Sequence, residues 1–377
     1  GVAQSIGGND PKGTERAIRH SIQLIVVLSL IYAVGLVLFR RPLLGFYRLG
    51  AENEAAAHSY LLIISLGMVF FAINPIFTAI FNGAGDSTTP FRINALGLVL
   101  NIVLDPILIF GLGPIPRLEV AGAALATIIA QFIVTSTFIF ETRKRPELFG
   151  KLRLLTPPDF AYLKGMVKMG LPLSLQSALF TIISMLIARI ISAWGPQAIA
   201  VQRVGGQIEQ ISWLTAGGFQ SAMSAFTGQN YGARQGQRVY RGYFVGVGIV
   251  SVIGIVATLT LYFGSGRLFA IFIPEQEVIL LGASYLKIIA AAQFFQSLEI
   301  LTAGAFIGLG KTTPPSVVGI TLNVLRIPAA LVLAATALGL DGVWWAISIS
   351  SILKGVILSI WYLRFMNTNS AMLQLRN

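Results

Sequence analysis

The sequence predicts an all-α integral membrane protein whose helices form two similar sets. Hydrophobic residues make up 55% of the 377 residues and charged residues only 11%, whereas a soluble domain carries about 25% charged residues. Apolar runs of about 20 residues, long enough to cross a bilayer as a helix, recur along the chain. An internal repeat divides these runs into two sets.

The repeat relates two short glycine-rich stretches. Residues 81–90 read FNGAGDSTTP, and residues 306–315 read FIGLGKTTPP. Further matching pairs are Gln4 with Gln229, Gly7 with Gly232, Asn101 with Asn323, Pro106 with Pro328 and Gly122 with Gly342. Membrane proteins made of two similar helical halves are typically secondary transporters, with the substrate path between the halves. The repeat therefore favours transport over catalysis.

The apolar runs predict ten helical segments in two lobes. They lie near residues 21–39, 59–80, 92–112, 120–140, 170–192, 197–227, 242–264, 279–304, 316–338 and 342–363. The polar stretch 142–169 interrupts them, which predicts an N-terminal lobe over 1–141, a cytoplasmic linker over 142–169 and a C-terminal lobe over 170–377. Within the linker, Asp159 to Met169 could form an amphipathic helix on the membrane surface.

The two halves differ in length. With the repeat aligned, residues 170–225 have no counterpart in the first half, and that stretch is long enough for two spanning helices. We therefore expect a complete protein of twelve helices in two sets of six. This chain would lack the first helix and most of the second, so that its first lobe is truncated to about four helices, helices 3–6, plus the end of helix 2.

The net charge of +12 follows the loops. One set of alternate loops carries Lys12, Arg16, Arg19, Arg92, Arg143, Lys144, Arg145, Lys151, Arg153, Lys164, Lys168, Arg234, Arg238, Arg241, Lys311, Arg364 and Arg376. The opposite set carries only Arg40, Arg41, Arg48, Arg117, Arg267 and Lys287. The positive-inside rule places the richer set on the cytoplasmic side of the membrane. We expect this membrane to be the cell (inner) membrane of a bacterium or an archaeon. Membrane topology, not nucleic-acid binding, accounts for the charge.

The residue types that enzymes and metal sites need are scarce. There is no cysteine, and the two histidines, His20 and His58, are far apart. The turns at 83–85 and 308–310 lack the spacing of a phosphate loop and follow apolar helices. They predict tight hairpins in which glycine adopts positive φ and proline opens the next helix. We expect no enzymatic activity, no resident metal and no cofactor.

Three acids interrupt the apolar segments: Asp105, Glu209 and Glu299. A charge at the bilayer centre costs about 2.5–3.5 kcal/mol on insertion scales, so each is a candidate functional residue. Asp105 follows Asn101 by four residues, which puts both side chains on one helix face. Asp105 could take and release a proton, or bind Na⁺ together with the Asn101 carbonyl. The alternative is a buried acid bonded to a neighbouring helix.

The most polar interior stretch surrounds Glu209 and includes Arg203 and Gln207. Two interpretations remain open for it: a water-filled cleft, or an ion pair of Glu209 with Arg203 or Arg326. Glu299 follows Gln296 on a related face and is a further candidate for lining the cleft. Arg189, Arg203, Arg326 and Lys354 are expected to pair with acids or to extend toward helix ends.

Read together, these motifs resemble the multidrug and toxic compound extrusion (MATE) family. The matching stretches, in the family's order, are 1–8, 82–90, 101–106, 122–127, 170–172 and 228–233. The resemblance implies two pseudo-symmetric six-helix lobes arranged as a V, which export organic cations or other amphipathic compounds by alternating access. Export would be coupled to H⁺ or Na⁺, and the protein would act as a monomer in the lipid bilayer.

Archaeal and DinF-like members of that family have a first-lobe cation site, which these motifs fit better than the NorM-type site. By motif position the resemblance implies Asp105, Asn101 and Thr127 as cation-site residues, together with Tyr60 at the start of the fourth helix of a complete protein. The family's first-helix aspartate would fall outside this chain. The second-lobe acids of NorM-type members are replaced here by Leu179, Phe180 and Thr181 and by Gln296, and Glu209 and Glu299 could partly substitute for them.

Two other functions compete with an antiporter. A flippase for lipid-linked oligosaccharides or peptidoglycan precursors shares the two-lobe plan and would use cleft arginines such as Arg189, Arg203 and Arg326 to bind phosphate. A passive channel or a membrane receptor would not require an internal repeat or ion-coupled counterflow. The arginines keep the flippase as the first alternative.

Overall fold

A computed structural model describes residues 1–46, 50–113, 116–150 and 152–369. Three of the basic residues used to assign the membrane sides, Arg48, Lys151 and Arg376, lie outside them. The described helices are α1 (Val2–Gly7), α2 (Pro11–Phe46), α3 (Ala51–Leu66), α4 (Met68–Gly83), α5 (Thr88–Phe110), α6 (Glu119–Thr142), α7 (Pro146–Phe149), α8 (Phe160–Ile191), α9 (Pro196–Gly232), α10 (Gly236–Ala270), α11 (Gln276–Gly308), α12 (Thr313–Ala334) and α13 (Leu340–Thr368).

The helices confirm a multi-pass, all-α membrane fold. Among the described residues, 8 helices are long and apolar enough to cross a membrane, or 9 if α3 and α4, which meet at a bend of 46°, count as one span. The predicted segment 59–80 is thus divided at Gly67. The predicted segment 197–227 lies in α9, which is 37 residues long but too polar for the same test. Because lipid offers no partner to polar groups, the polar residues of α9 are expected to contact protein groups or water.

The chain divides into two compact units, Gly1–Leu163 and Lys164–Asn377. The boundary falls inside the predicted linker. The sequence suggested a separate amphipathic helix over Asp159 to Met169, but residues 160–169 are the first turns of the continuous helix α8. In the first unit, His20 of α2 accepts a hydrogen bond from the backbone N–H of Asp159 at 3.0 Å, and its other ring nitrogen bonds the carbonyl of Arg16 at 2.7 Å. The linker therefore ends against α2.

The core of the first unit joins α2, α4, α5 and α6. Its buried side chains are Ile18, Ile22, Ile73, Phe77, Ile80, Phe81, Ile93, Val134 and Phe138. One polar link crosses this core: Asn74 of α4 donates to the side chain of Gln131 at 2.7 Å and accepts from the hydroxyl of Thr135 at 2.8 Å. Since a buried amide without partners is costly, the link fixes α4 against α6.

Helix α11 is the centre of the second unit. It packs against α9, α10 and α13, and half of the residues in its most apolar stretch are buried. Tyr285, Leu286 and Ile289 are nearly inaccessible on its first half, and Leu301, Ala305 and Phe306 on its second. Any group that α11 presents to its neighbours is therefore held by packing on several sides.

The repeat seen in the sequence is present in the packing. A Cβ on Gly122 would lie 2.3 Å from the carbonyl oxygen of Leu108, and one on Gly342 would lie 2.4 Å from that of Leu333. In both units, therefore, the matching glycine lets its helix approach the backbone of the helix before it, α6 against α5 and α13 against α12. The paired hairpins match as well, because Gly85 has φ of 88° and Gly310 has φ of 74°. Both values lie in the region that glycine adopts without strain.

We predict that Gly304→Ala destabilises the protein, because the new Cβ would lie 2.4 Å from the carbonyl oxygen of Gln220 on α9. Overpacking of this kind costs about 1–3 kcal/mol. The matched control is Gly218→Ala on α9, where no atom lies within 4 Å and alanine should stabilise the helix by about 0.5–1 kcal/mol. Thermal unfolding in detergent measures both, and equal melting temperatures would contradict the packing.

Asp86 predicts a pH-dependent contribution to stability at the start of α5. Its carboxylate accepts hydrogen bonds from the N–H and the hydroxyl of Thr89, at 3.0 and 2.7 Å, and from Arg145 at 2.7 Å. Burial alone would raise the pKa of Asp86, but these bonds and the Arg145 charge outweigh it and lower the pKa. Asp86 therefore stabilises the fold above its unfolded pKa of about 3.9, and this contribution is lost as the pH falls through the lower folded value.

Asp86→Asn should accordingly lower the melting temperature at neutral pH. The difference from the wild type should shrink as the pH drops below about 4. Melting curves of both proteins over a pH series measure this. A difference that stays constant across the series would show that the charge of Asp86 does not contribute.

Candidate functional site

The first-unit candidate site joins α5 and α6. The amide nitrogen of Asn101 donates to a carboxylate oxygen of Asp105 at 3.3 Å and lies 3.5 Å from the hydroxyl oxygen of Thr127. Thr127 in turn donates its hydroxyl to the carbonyl of Ala123, one turn earlier in α6, at 2.9 Å. Three of the four predicted residues are thus close together, on two helices that pack against each other.

The surroundings of Asp105 leave oxygen atoms free to bind an ion. Asp105, Asn101 and Thr127 are all half-buried. Among the described residues no basic group pairs with Asp105, and its second carboxylate oxygen and the Asn101 carbonyl oxygen accept no hydrogen bond. Pro106 has no N–H, so the carbonyl of Ile102 lacks its usual helical donor. A carboxylate, an amide, a hydroxyl and a backbone carbonyl are ligands that suit a hard cation.

Tyr60 is placed less closely. It lies on α3, which packs against α6, but its side chain is 40% exposed. It forms no hydrogen bond with Asp105, Asn101 or Thr127 in the part of the chain that the structure describes. The three central residues therefore form the group, and Tyr60 is a neighbour on the adjoining helix.

The second-unit candidate site is a cavity of about 290 Å³ lined by α8, α9, α11, α12 and α13. Its charged and polar walls include Glu209, Gln296, Arg326 and Lys354. Each of these four side chains is less than a tenth exposed. The cavity therefore accounts for the unusual polarity of α9, because a polar face can only be buried where it meets polar partners or water.

Glu209 is hydrogen-bonded within the second unit. The hydroxyl of Tyr285 on α11 donates to one of its carboxylate oxygens. The expected ion pair with Arg203 is not formed, because Arg203 lies nearly two turns away on an exposed face of α9. Glu209 also forms no salt bridge with Arg326, although the two lie within electrostatic range. Of the two interpretations of Glu209, lining a cavity fits its position.

Arg326 and Lys354 have different partners. The guanidinium of Arg326 donates to the hydroxyl of Ser350 at 2.9 Å and, more weakly, to that of Ser351 at 3.5 Å. Lys354 forms a salt bridge of 3.1 Å with Glu299. Lys354 is thus neutralised by an acid, as the sequence suggested, whereas Arg326 is held by neutral hydroxyls.

The other predicted residues divide between lining the cavity and facing away from it. Gln296 lines the cavity, and Glu299 stands behind Lys354 as its partner. Gln207 and Arg203 are exposed on α9 and do not line it. The sequence did not single out Tyr285 or Trp213, because an aromatic residue in an apolar helix has no distinguishing local pattern. Only the packing shows that both line the cavity.

Comparison with known proteins agrees with this architecture. The sequence matches the profile of the MatE family over residues 1–107 and 172–332. It is 28% identical over 368 residues to a probable multidrug resistance protein NorM of Thermotoga maritima, covering 96% of this chain and 78% of that protein. It is 27% identical over 353 residues to a probable multidrug resistance protein, YoeA, of Bacillus subtilis, covering 91% and 75%.

A solved structure shows the same fold. A crystal structure of MATE in the bent conformation superposes with a TM-score of 0.91 at 21% sequence identity, covering 99% of this chain and 83% of that one. The profile match extends over both units and includes the hairpin motifs and the Asn101–Pro106 segment. This multi-pass membrane protein therefore belongs to the MatE family of transporters.

Proposed function

We propose that this protein is an antiporter that exports organic cations or other amphipathic compounds by alternating access, driven by H⁺ or Na⁺. The observation that carries the proposal is the Asp105 group: a half-buried carboxylate in a membrane helix, without a basic partner among the described residues, next to further oxygen atoms. Its relatives in Thermotoga maritima and Bacillus subtilis bear the name of probable multidrug resistance proteins, which supports the substrate class.

The coupling follows from the charge on Asp105. A cation bound there neutralises the carboxylate and draws the Asn101 and Thr127 oxygens toward it, so it favours the arrangement of α5 and α6 that brings these oxygens together. Binding can shift the conformational equilibrium only by its differential affinity for the two states. One charge moved through about 100 mV supplies about 2.3 kcal/mol, which corresponds to a substrate concentration ratio of about 50.

We assign the coupling site to the first unit, as in archaeal and DinF-like members. The acids of a NorM-type second-lobe site are replaced at the corresponding positions by residues such as Phe180 and Gln296. The flippase alternative has less support. Of the three arginines that it would use, Arg326 lines a cavity of the second unit, whereas Arg189 and Arg203 are exposed on their helices.

Asp105→Asn should abolish ion-driven transport. Liposomes containing the purified protein would be loaded with ethidium, and its exchange would be followed under a pH gradient and, separately, a Na⁺ gradient. The asparagine variant should lose the gradient-driven component and retain at most passive exchange, because it no longer carries a titratable or cation-binding charge. The gradient that drives the wild type identifies the ion.

The matched control for that assay is Glu119→Gln, which removes an exposed acid at the start of α6 that pairs with Arg117 at 3.1 Å. This variant should transport like the wild type. Gradient-driven ethidium exchange by Asp105→Asn at the wild-type rate would refute coupling at Asp105.

Thr127→Val should weaken the binding of the coupling ion without abolishing it. The substitution deletes one oxygen near Asn101, so the ion concentration for half-maximal transport should rise about 2- to 10-fold, the equivalent of about 0.5–1.5 kcal/mol, with little change in maximal rate. Thr137→Val on the same helix is the control, because Thr137 makes the same hydroxyl-to-carbonyl bond, to Ile133 at 2.8 Å, outside the site. An equal effect of both variants would indicate a general effect on α6.

A further inference from the structure

The second-unit cavity contains two charges that the structure leaves only partly satisfied. Glu209 receives a hydrogen bond from Tyr285, and the side-chain amide of Gln293 lies next to its carboxylate. Arg326 donates to two serine hydroxyls, and its remaining terminal nitrogen has no acceptor in the same part of the chain. Each charge is thus held in place by neutral groups and has no salt bridge with a described residue.

The third charge of the cavity wall, Lys354, is neutralised by Glu299, which lies behind it. Lys354 and Glu299 form a salt bridge of 3.1 Å, and both side chains are largely buried. Glu299 and Glu209 both lie within electrostatic range of Arg326, but neither forms a salt bridge with it. The wall therefore presents one separated negative charge and one separated positive charge to the same space.

Charge balance identifies the ligand that suits this arrangement. Leaving one buried charge without a partner is strongly unfavourable. A purely cationic ligand would form a salt bridge with Glu209 and leave Arg326 without one, whereas an anionic ligand would do the reverse. A ligand that carries both an ammonium and a carboxylate satisfies both residues and adds no net charge to the buried site.

The remaining walls set the size and character of the ligand. Phe180 and Trp213 line the cavity with their ring centroids 5.8 Å apart, which provides an apolar, aromatic surface next to Glu209. Such faces also attract ammonium groups. Gln296 is buried in the wall and forms no hydrogen bond with a described residue, so its amide is available to a ligand. A volume of about 290 Å³ is at the lower end for small-molecule sites.

We propose that this cavity is a binding site for small zwitterions that carry an ammonium and a carboxylate, such as an aromatic amino acid. Glu209 binds the ammonium, Arg326 binds the carboxylate, and Phe180 and Trp213 contact the apolar part. The site goes beyond the cation exchange proposed above and does not depend on it, since all of its residues lie in the second unit.

The test compares three probes of nearly the same shape in the purified full-length protein. They are L-phenylalanine, which has both charges, phenethylamine, which lacks the carboxylate, and 3-phenylpropionate, which lacks the ammonium. Calorimetric titration should show L-phenylalanine binding at least about tenfold more tightly than either analogue, since each charged hydrogen bond is worth about 1.5–3 kcal/mol. No binding, or equal affinity for all three probes, would overturn the proposal.

The same titrations in Asp105→Asn separate this site from the one in the first unit. The preference for L-phenylalanine should persist in this variant, because the cavity is unchanged. Binding of an ammonium group at Asp105 no longer contributes to the measured affinity. Loss of the preference in Asp105→Asn would place the binding in the first unit and refute the cavity assignment. If the preference persists but neither a pH gradient nor a Na⁺ gradient drives ethidium exchange by the wild type, only the antiporter proposal is refuted.

Two variants assign the contacts. Arg326→Gln should reduce the affinity for L-phenylalanine to that for phenethylamine, and Glu209→Gln should reduce it to that for 3-phenylpropionate. Arg203→Gln is the matched control on the exposed face of α9 and should bind like the wild type. If Arg326→Gln and Glu209→Gln bind L-phenylalanine as the wild type does, these residues are not the contacts. If either variant fails to fold, the ranking of the three probes in the wild type still decides.

Discussion

The packing of this protein depends on glycine residues that allow two backbones to approach each other. In lipid there is little hydrophobic drive between helices, so association relies on close contact and on internal hydrogen bonds. A Cβ on Gly122, Gly342 or Gly355 would lie only 2.2–2.4 Å from a carbonyl oxygen of a neighbouring helix. These contacts hold α5 against α6, α12 against α13, and α13 against α11, and these helices carry most of the candidate functional side chains.

The same constraint makes every polar side chain inside the helices informative. The bilayer offers no water to an isolated charge, so a charge is retained only where protein groups or a cavity receive it. The first unit meets this requirement with one acid, Asp105, and neutral oxygens around it. The second unit meets it with two acids and two bases, of which Lys354 and Glu299 pair directly.

The duplication places charged groups of opposite sign on equivalent helices of the two units. Asn101 and Pro106 of α5 correspond to Asn323 and Pro328 of α12. Asp105 precedes the first proline by one residue, and Arg326 precedes the second by two. In each unit a charge thus lies at the place where proline weakens the helical hydrogen bonding. The shared backbone is preserved, and the chemistry of the two units has diverged on it.

Most of the fold and part of the site could be read in the chain itself. Helix length and apolarity are local properties, so the segments and the all-α class follow from composition, and the motif of 81–90 reveals the duplication because it recurs. The group of Asp105, Asn101 and Thr127 was accessible for a similar reason. Two of its members are one helical turn apart, and Thr127 belongs to a motif that the family shares. The bend at Gly67 was not accessible, because nothing in the apolar run 59–80 signals it.

Tertiary structure alone decided which polar residues meet. Residues 203, 207 and 209 lie close together in α9, yet only Glu209 lines the cavity, because a helix turns about 100° per residue and its orientation is determined by packing. Tyr285, Arg326 and Ser350 come from three other parts of the chain, and no local pattern relates them. The sequence determines the charge content and the positions of the helices, because both are local properties. The pairing of charges depends on distances between helices, which only the folded molecule defines.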